Sequence, residues 1–177
     1  MRPRILAETK VDPTLVKLEL TESSTVDDPE RAVSVLNQLK ALGVQISLDD
    51  FGTGYSSLSY LHRYPIDILK IDRSFVSRML DNADNLQLVT TILALARGMG
   101  MSVVAEGIEN EAQAQQLDTL GCVLGQGYLF AKPLTADDAE IWLQVTGLKR
   151  TASRLTNAEA ATGSRRKTSK TGAASAS

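Results

Sequence analysis

Asp49 and Asp50 are adjacent carboxylates that end the apolar stretch Ile46-Ser47-Leu48 and open into Phe51-Gly52-Thr53-Gly54-Tyr55. Like charges at the end of a buried strand repel, and they cost free energy unless a cation or a proton compensates them. A divalent metal ion compensates them and also brings chemistry. Asp50 has a second reading, as an Asx-turn at the start of the loop. Gly52-Thr53-Gly54 reads either as a phosphate cradle or as a tight loop. Glu19 and Glu22 form Glu-x-x-Glu late in another apolar run, and a solvated loop edge is the plain alternative. Lys70 lies inside Ile68-Leu69-Lys70-Ile71-Asp72, where a lysine needs a partner or a function. A salt bridge to Asp72 or a neighbouring acid would satisfy it. Glu106 and Glu109 follow Ser102-Val103-Val104-Ala105, with Gly107 permitting a sharp turn between them. Glu106 is the candidate for chemistry, and Glu109 reads as a cap for the next helix. Gln126, between Gly125 and Gly127, can position an oxygen or a water. His62, the single histidine, reads as surface or packing, and the single cysteine, Cys122, as core filler. Triad chemistry is therefore not expected. Acids with one lysine and one glutamine suit hard cations, Mg²⁺ or Mn²⁺, rather than Zn²⁺.

The elements that must carry these residues alternate between strand and helix. Strands are expected at Leu15–Leu20, Val44–Asp49, Ile66–Ile71, Met101–Ala105 and Val123–Leu129. The first helix follows Asp27-Asp28-Pro29-Glu30, a cap and proline signal, and runs through Ala32, Val33, Leu36 and Leu39 to Gly43. Tyr55–His62 is loop with a short helix, closed by Pro65. Further helices are expected at Asn85–Met99, Glu111–Leu120 and Ala136–Val145, the last with Thr135 as cap and Trp142 as a packing anchor. Five β-then-α units imply a parallel sheet wrapped by helices, either an open doubly wound sheet or a β/α barrel. Strand parity separates the two. Val16, Leu18 and Leu20 oppose Lys17, Glu19 and Thr21, while Ile46 and Leu48 oppose Gln45, Ser47 and Asp49. One apolar and one polar face suit a barrel, with the polar residues toward its axis. Glu19, Asp49, Lys70, Glu106 and Gln126 fall late in their strands, at the end where barrel active sites are built.

Composition bounds the rest. The chain has 177 residues, a net charge of −2 and 43% hydrophobic residues. No apolar run is long enough to span a bilayer and no leader pattern opens the chain, so the cytoplasm is the expected location. The first 147 residues carry −8 and the segment from Leu148 carries +6. That basic segment is rich in Ala, Ser, Thr and Gly and cannot bury enough surface to order itself. Residues 1–147 are thus expected to form the folded domain and 148–177 a disordered, solvated tail. The tail has no aromatic residues, so no DNA or RNA partner is expected. A complete eight-unit barrel takes ~250 residues. Five units imply a small open sheet or an incomplete (β/α)8 TIM-type barrel.

Five segments resemble the EAL-domain family in the family's order. They are Glu19-Leu20-Thr21-Glu22, Asp49-Asp50-Phe51-Gly52-Thr53-Gly54-Tyr55-Ser56-Ser57-Leu58, Leu69-Lys70-Ile71-Asp72, Val104-Ala105-Glu106-Gly107-Ile108-Glu109, and Gly125-Gln126-Gly127-Tyr128-Leu129-Phe130-Ala131-Lys132-Pro133-Leu134. The resemblance runs from about Arg4 to Val145. It implies a bacterial phosphodiesterase that hydrolyses cyclic di-GMP to linear pGpG with two Mg²⁺ or Mn²⁺ ions in a modified β/α barrel. By resemblance, Glu19 would ligate one metal, Asp49 would bridge two and Asp50 would hold the second. Lys70 would contact the attacking water or a phosphate oxygen, Glu106 would be the general base, and Gln126 would complete the shell. Glu22 would anchor the loop Phe51–Leu58, through which a homodimer is implied. The Glu-Ala-Leu motif and an asparagine ligand that the family carries earlier are absent from this sequence. The resemblance therefore implies a truncated domain of about five C-terminal βα units, weakly active or inactive alone. A non-catalytic cyclic di-GMP-binding module and a dimerisation module stand as alternatives.

Overall fold

The computed structural model describes residues 4–21, 29–53 and 61–146. The chain divides into two units, Met1–Lys132 and Pro133–Ser177. In the first, strands β1 (Lys17–Thr21), β2 (Gln45–Phe51), β3 (Ile68–Ile71), β4 (Ser102–Ala105) and β5 (Leu124–Gly125) form one sheet in that order. Every neighbouring pair is parallel. Helix α1 (Arg4–Thr9) precedes β1, α2 (Pro29–Lys40) joins β1 to β2, α3 (Arg73–Val76) and α4 (Ala83–Gly98) join β3 to β4, and α5 (Glu111–Thr119) joins β4 to β5. Sequential strands lie side by side with helices in the β1–β2, β3–β4 and β4–β5 crossovers, which is the barrel order rather than the doubly wound one.

The core lies between sheet and helices. Ile46, Leu69 and Ile71 are fully buried against Val89, Ile92, Leu93 and Ala96 of α4 and Leu117 of α5. β2 and β3 lie inside the sheet, and their residues are mostly buried, whereas the edge strand β1 alternates exposed with half-buried residues. Among the described residues, no helix is long and apolar enough to cross a membrane.

Several boundaries differ from the sequence reading. β1 begins at Lys17 rather than Leu15, because Asp12 caps a 3-10 turn at Pro13–Leu15, accepting from the Thr14 N–H at 2.9 Å. β2 continues beyond Asp49 to Phe51, and its register with β3 shifts between Leu48 and Phe51. α4 starts two residues early because Asn82 caps it, accepting from the N–H groups of Asp84 and Asn85. β5 is the largest difference. Only Leu124 and Gly125 pair with β4, because β4 ends at Ala105 and the chain then turns away through Gly107 at φ +67°. Beyond Gly125 the pairing narrows to Ile108, whose N–H donates to the Gln126 carbonyl and whose carbonyl accepts from Leu129 N–H, and residues 128–130 form a turn with Phe130 N–H donating to the Gly127 carbonyl. In the second unit a helix spans 136–146. Thr135 caps it, accepting from Asp138 N–H at 3.3 Å, and Trp142, expected as a packing anchor, remains 37% exposed.

Candidate active site

The C-terminal ends of β1 to β5 bring Glu19, Asp49, Lys70, Glu106 and Gln126 together. Lys70 is the hub. Its Nζ lies 3.1 Å from Glu19 Oε1, 3.0 Å from Asp49 Oδ1 and 2.6 Å from Glu106 Oε1. The Lys70 side chain is only 8% exposed, against 16% for Glu106, 21% for Asp49 and 54% for Glu19. Of the partners left open by the sequence, the neighbouring acids are the ones it takes. Asp72 instead caps α3, accepting from Ser74 N–H at 2.9 Å.

Burial alone would pull the Lys70 ammonium toward neutrality, but its hydrogen bonds to Glu106, Asp49 and Glu19 outweigh that and hold its pKa above the ordinary lysine value. Burial raises the pKa of Glu106 above the ordinary range, with the charges of Asp49 and Glu19 acting in the same sense and Lys70 opposing. The cluster therefore holds a firmly charged cation beside a carboxylate that takes a proton more readily than usual.

The chain solves a geometric problem at Asp49-Asp50. Consecutive residues of a regular strand point to opposite faces, so neighbouring aspartates should not share a site. Asp50 takes the left-handed conformation, φ +54°, within the register shift of β2. Aspartate tolerates that region better than most side chains, and bulges of this kind re-aim side chains beside active sites. One oxygen each from Asp49, Asp50 and Glu106 consequently lie within 4.8 Å of one another. The turn is closed by Thr53, whose N–H and hydroxyl both donate to the Asp50 carbonyl, at 3.2 and 2.8 Å.

The carboxylate oxygens divide their work. Glu106 Oε1 accepts from Lys70 and, at 2.7 Å, from Gln126 Nε2. Asp49 Oδ1 accepts from Lys70 and from the Asp50 N–H at 3.1 Å. Among the described residues, Glu106 Oε2 and Asp49 Oδ2 receive no donor. An all-oxygen set with spare lone pairs and excess negative charge fits a hard divalent cation. The softer ligands are elsewhere, with His62 exposed and Cys122 buried near the Val103 and Leu124 carbonyls.

Gln126 is fixed by its backbone, its N–H donating to the Ala105 carbonyl and its carbonyl accepting from Ile108 N–H. Glu109, read as a helix cap, is not one. Asn110 caps α5 in a capping box with Gln113, and Glu109 pairs with Arg73 Nη2 at 2.5 Å. The spacing Asn110-x-x-Gln113 was the available signal. Of the loop residues, Phe51 is buried, and Gly52 and Thr53 are described. Glu22, Gly54 and Tyr55 lie outside the described residues.

An open parallel β/α sheet with a lysine-centred acidic cluster at its C-terminal edge defines a barrel-type site. The EAL domain family profile matches residues 2–133. This chain belongs to the EAL-domain family. The bifunctional diguanylate cyclase/cyclic di-GMP phosphodiesterase MucR of Pseudomonas aeruginosa is 46% identical over 127 residues, which are 72% of this chain and 18% of MucR. The MucR phosphodiesterase solved in complex with cyclic di-GMP matches at TM-score 0.72 and 44% identity, over 76% of this chain and 54% of that one. The EAL domain of Mycobacterium smegmatis DcpA matches at TM-score 0.76 and 43% identity, over 79% of this chain and 63% of that one. Klebsiella pneumoniae BlrP1, solved as a manganese and cyclic di-GMP complex, matches at TM-score 0.68 and 32% identity, over 72% of this chain and 33% of that one. The five-stranded parallel sheet thus matches the TIM-barrel-like EAL structures. The chain spans 17–20% of the length of the first three curated relatives it matches.

Proposed function

We propose that this chain carries the metal-binding and proton-transfer face of a cyclic di-GMP phosphodiesterase. The observation that carries this reading is Lys70 Nζ, buried and bonded to carboxylates from β1, β2 and the residue that follows β4, beside the re-aimed Asp50. Glu19, Asp49 and Asp50 would hold Mg²⁺ or Mn²⁺, which when bound supply Lewis acidity and neutralise charge at a phosphate oxygen. Lys70 donates to a phosphate oxygen or orients the attacking water. Glu106, with its pKa raised by burial, accepts a proton from that water, while Gln126 fixes the Glu106 carboxylate. The water oxygen bonds to phosphorus, one P–O3′ bond breaks, and the 3′ oxygen takes up a proton to give linear pGpG.

The likeness to proteins solved with cyclic di-GMP supports this substrate. The name-giving Glu-Ala-Leu glutamate is not among the donors here, so the 177 residues by themselves are expected to turn over far more slowly than a full-length EAL domain. Dimerisation through the loop that begins at Phe51 and a cytoplasmic location belong to the same proposal. The test is purified chain incubated with cyclic di-GMP and Mn²⁺, with pGpG quantified by chromatography and nucleotide binding by calorimetry. Slow turnover abolished by chelator supports the reading. Turnover equal to a full-length domain overturns its weak-activity part. Binding without any turnover favours a cyclic di-GMP-binding module, and neither binding nor turnover overturns the whole.

A further inference from the structure

We infer that Arg73 and Phe75, on the single turn of helix beyond Lys70, are positioning residues that clamp the Asp49-Asp50 bulge and the Glu106 turn at a fixed separation across β3. The inference deepens the reading of this site given above.

β3 is the middle strand, flanked by β2 with its aspartates and β4 with Glu106 after it. The chain leaves β3 through Asp72, which caps α3 by accepting from both the Ser74 N–H and the Ser74 hydroxyl. Residues two apart on a helix project roughly 200° from one another, so Arg73 and Phe75 reach to opposite sides. Each side chain meets a glycine just downstream of an acid. Arg73 covers Gly107, where an added Cβ would fall 2.1 Å from Arg73 Cγ and 2.6 Å from its Cβ. Phe75 covers Gly52, where an added Cβ would lie 3.2 Å from the ring, with Ile92 Cδ1 at 3.7 Å. Both glycines have left-handed backbones, φ +67° and +94°. Their conformation and their lack of a side chain are thus both used, and on each side the occupant of the space comes from α3.

The Arg73 arm is anchored at its far end. Its guanidinium pairs with Glu109, whose N–H donates at 2.8 Å to the buried Gln113 side chain. The stem of Arg73 therefore lies over Gly107 between two fixed points, α3 and the start of α5. Stability does not account for this arrangement, because the Arg73 side chain is 62% exposed and an exposed pair contributes little. What the arrangement does fix is the distance between the exit of β4 and that of β3, while Phe75 fixes the exit of β2. Three carboxylate oxygens within 4.8 Å require that separation.

The test uses the full chain and two readouts. One is proton exchange at the Lys70 ammonium, followed by ¹⁵N NMR without metal, and the other is Mn²⁺ affinity by electron paramagnetic resonance. Arg73→Ala should speed Lys70 ammonium exchange about ten-fold and weaken Mn²⁺ binding roughly ten-fold, as loss of an outer support does at other metal sites. Arg73→Lys, which keeps the stem and a charge, should recover most of both. Phe75→Leu should have the same sign of effect with a smaller size, and it keeps the test open if Phe75→Ala does not fold. The thermal midpoint should barely move in Arg73→Ala. If the unsubstituted chain binds no Mn²⁺, the metal reading of the site fails, and ammonium exchange alone still decides the positioning claim. Exchange and affinity within two-fold of the unsubstituted chain in both Arg73→Ala and Phe75→Leu would overturn it, as would an Arg73→Lys chain indistinguishable from Arg73→Ala.

Discussion

The sheet carries a lysine–carboxylate contact at each end, and the two are built to different ratios. At the N-terminal end, Lys40 Nζ meets Asp67 at 2.6 and 2.7 Å, and the same carboxylate accepts from Ile46 N–H at 2.8 Å. One cation meets one anion, both side chains are 31% exposed, and the remaining lone pair is used by the backbone. At the C-terminal end, among the described residues, the Lys70 ammonium contacts three carboxylates, Glu19, Asp49 and Glu106, and a fourth, Asp50, lies beside two of them. The first contact closes its own charge account and holds β2 against the end of α2. Among the described residues the second leaves excess negative charge and oxygens without donors, which is a poor way to stabilise a fold and a good way to bind cations. Charge stoichiometry therefore separates the structural end from the proposed functional end.

Removing each lysine tests that contrast most severely. Lys70→Met leaves its carboxylates crowded and uncompensated, and should destabilise the metal-free chain by about 3 kcal/mol, since breaking a buried pair costs more than the pair contributes. Mn²⁺ should restore much of that loss in thermal unfolding. Lys40→Met leaves one half-exposed carboxylate still bonded to Ile46 N–H and should cost about 1 kcal/mol. Mn²⁺ should restore none of it. Equal restoration of the two variants would erase the distinction between the ends.

The next effect is opposite in sign. Asp49→Asn removes a like charge from the cluster, so the metal-free chain should become slightly more stable, by about 0.5–1 kcal/mol, while losing most of the stabilisation that Mn²⁺ confers. Asp67→Asn at the other end should lower stability with or without Mn²⁺. Unfolding midpoints in chelator and in excess Mn²⁺ read both, and parallel behaviour of the two variants would sink the comparison.

The sequence displayed the members of the acidic cluster more clearly than it displayed their arrangement. Strand parity placed Glu19 and Asp49 on the polar face of alternating strands, and that periodicity is local, so it can be read without tertiary information. The sequence reading ended that strand at Asp49; with β2 continuing to Phe51, adjacent Asp49 and Asp50 would point to opposite faces, and the left-handed bulge resolves this. A strict period of two carrying two adjacent candidate ligands was the signal that β2 must break. The shortness of β5 was hidden, because it depends on β4 losing its ladder at Gly107, a non-local event. The clamp from α3 was hidden for the same reason. Arg73 and Gly107 are far apart in sequence, and only the parallel register of β3 and β4 brings them together.

A smaller effect belongs to Asp72, which links β3 to α3. Burial would raise its pKa, but hydrogen bonds from Ser74 and Arg73 outweigh that and leave it below the ordinary carboxylate value. A depressed pKa means stability that is present above the unfolded value and lost as pH falls through the folded one. Asp72→Ala should therefore cost about 1 kcal/mol at neutral pH, the usual loss for a helix cap. The difference from the unsubstituted chain should shrink as pH falls below about 4, where the unfolded-state carboxyl is protonated. A cost that is constant from pH 7 to pH 3 would mean that the charge of Asp72 contributes nothing.

The smallest expected effect sits where the two ends meet, on β2. Ile46 N–H reaches down to Asp67, Asp49 reaches up to Lys70, and Ser47 lies between them, opposite Glu19 in the register. Ser47 is 2% exposed, and its hydroxyl has no hydrogen-bond partner among the described residues. A buried hydroxyl without a partner costs about 1–3 kcal/mol, so deleting it should not harm a purely structural position. If Ser47 belongs to the structural end, Ser47→Ala should leave stability unchanged or raise it by up to about 1 kcal/mol and leave Mn²⁺ affinity alone. If it belongs to the functional end, the hydroxyl is polar because the interior face beneath the carboxylates is wetted, and Ser47→Ala should weaken Mn²⁺ binding without raising the midpoint. The ratio of cations to carboxylates assigns Ser47 to neither end, but its alternation with Asp49 places both on the face that points away from the helices. On that ground the functional outcome is expected, with a two- to three-fold loss of Mn²⁺ affinity, and a stabilised variant of unchanged affinity would move the boundary between the two ends up to Asp49 itself.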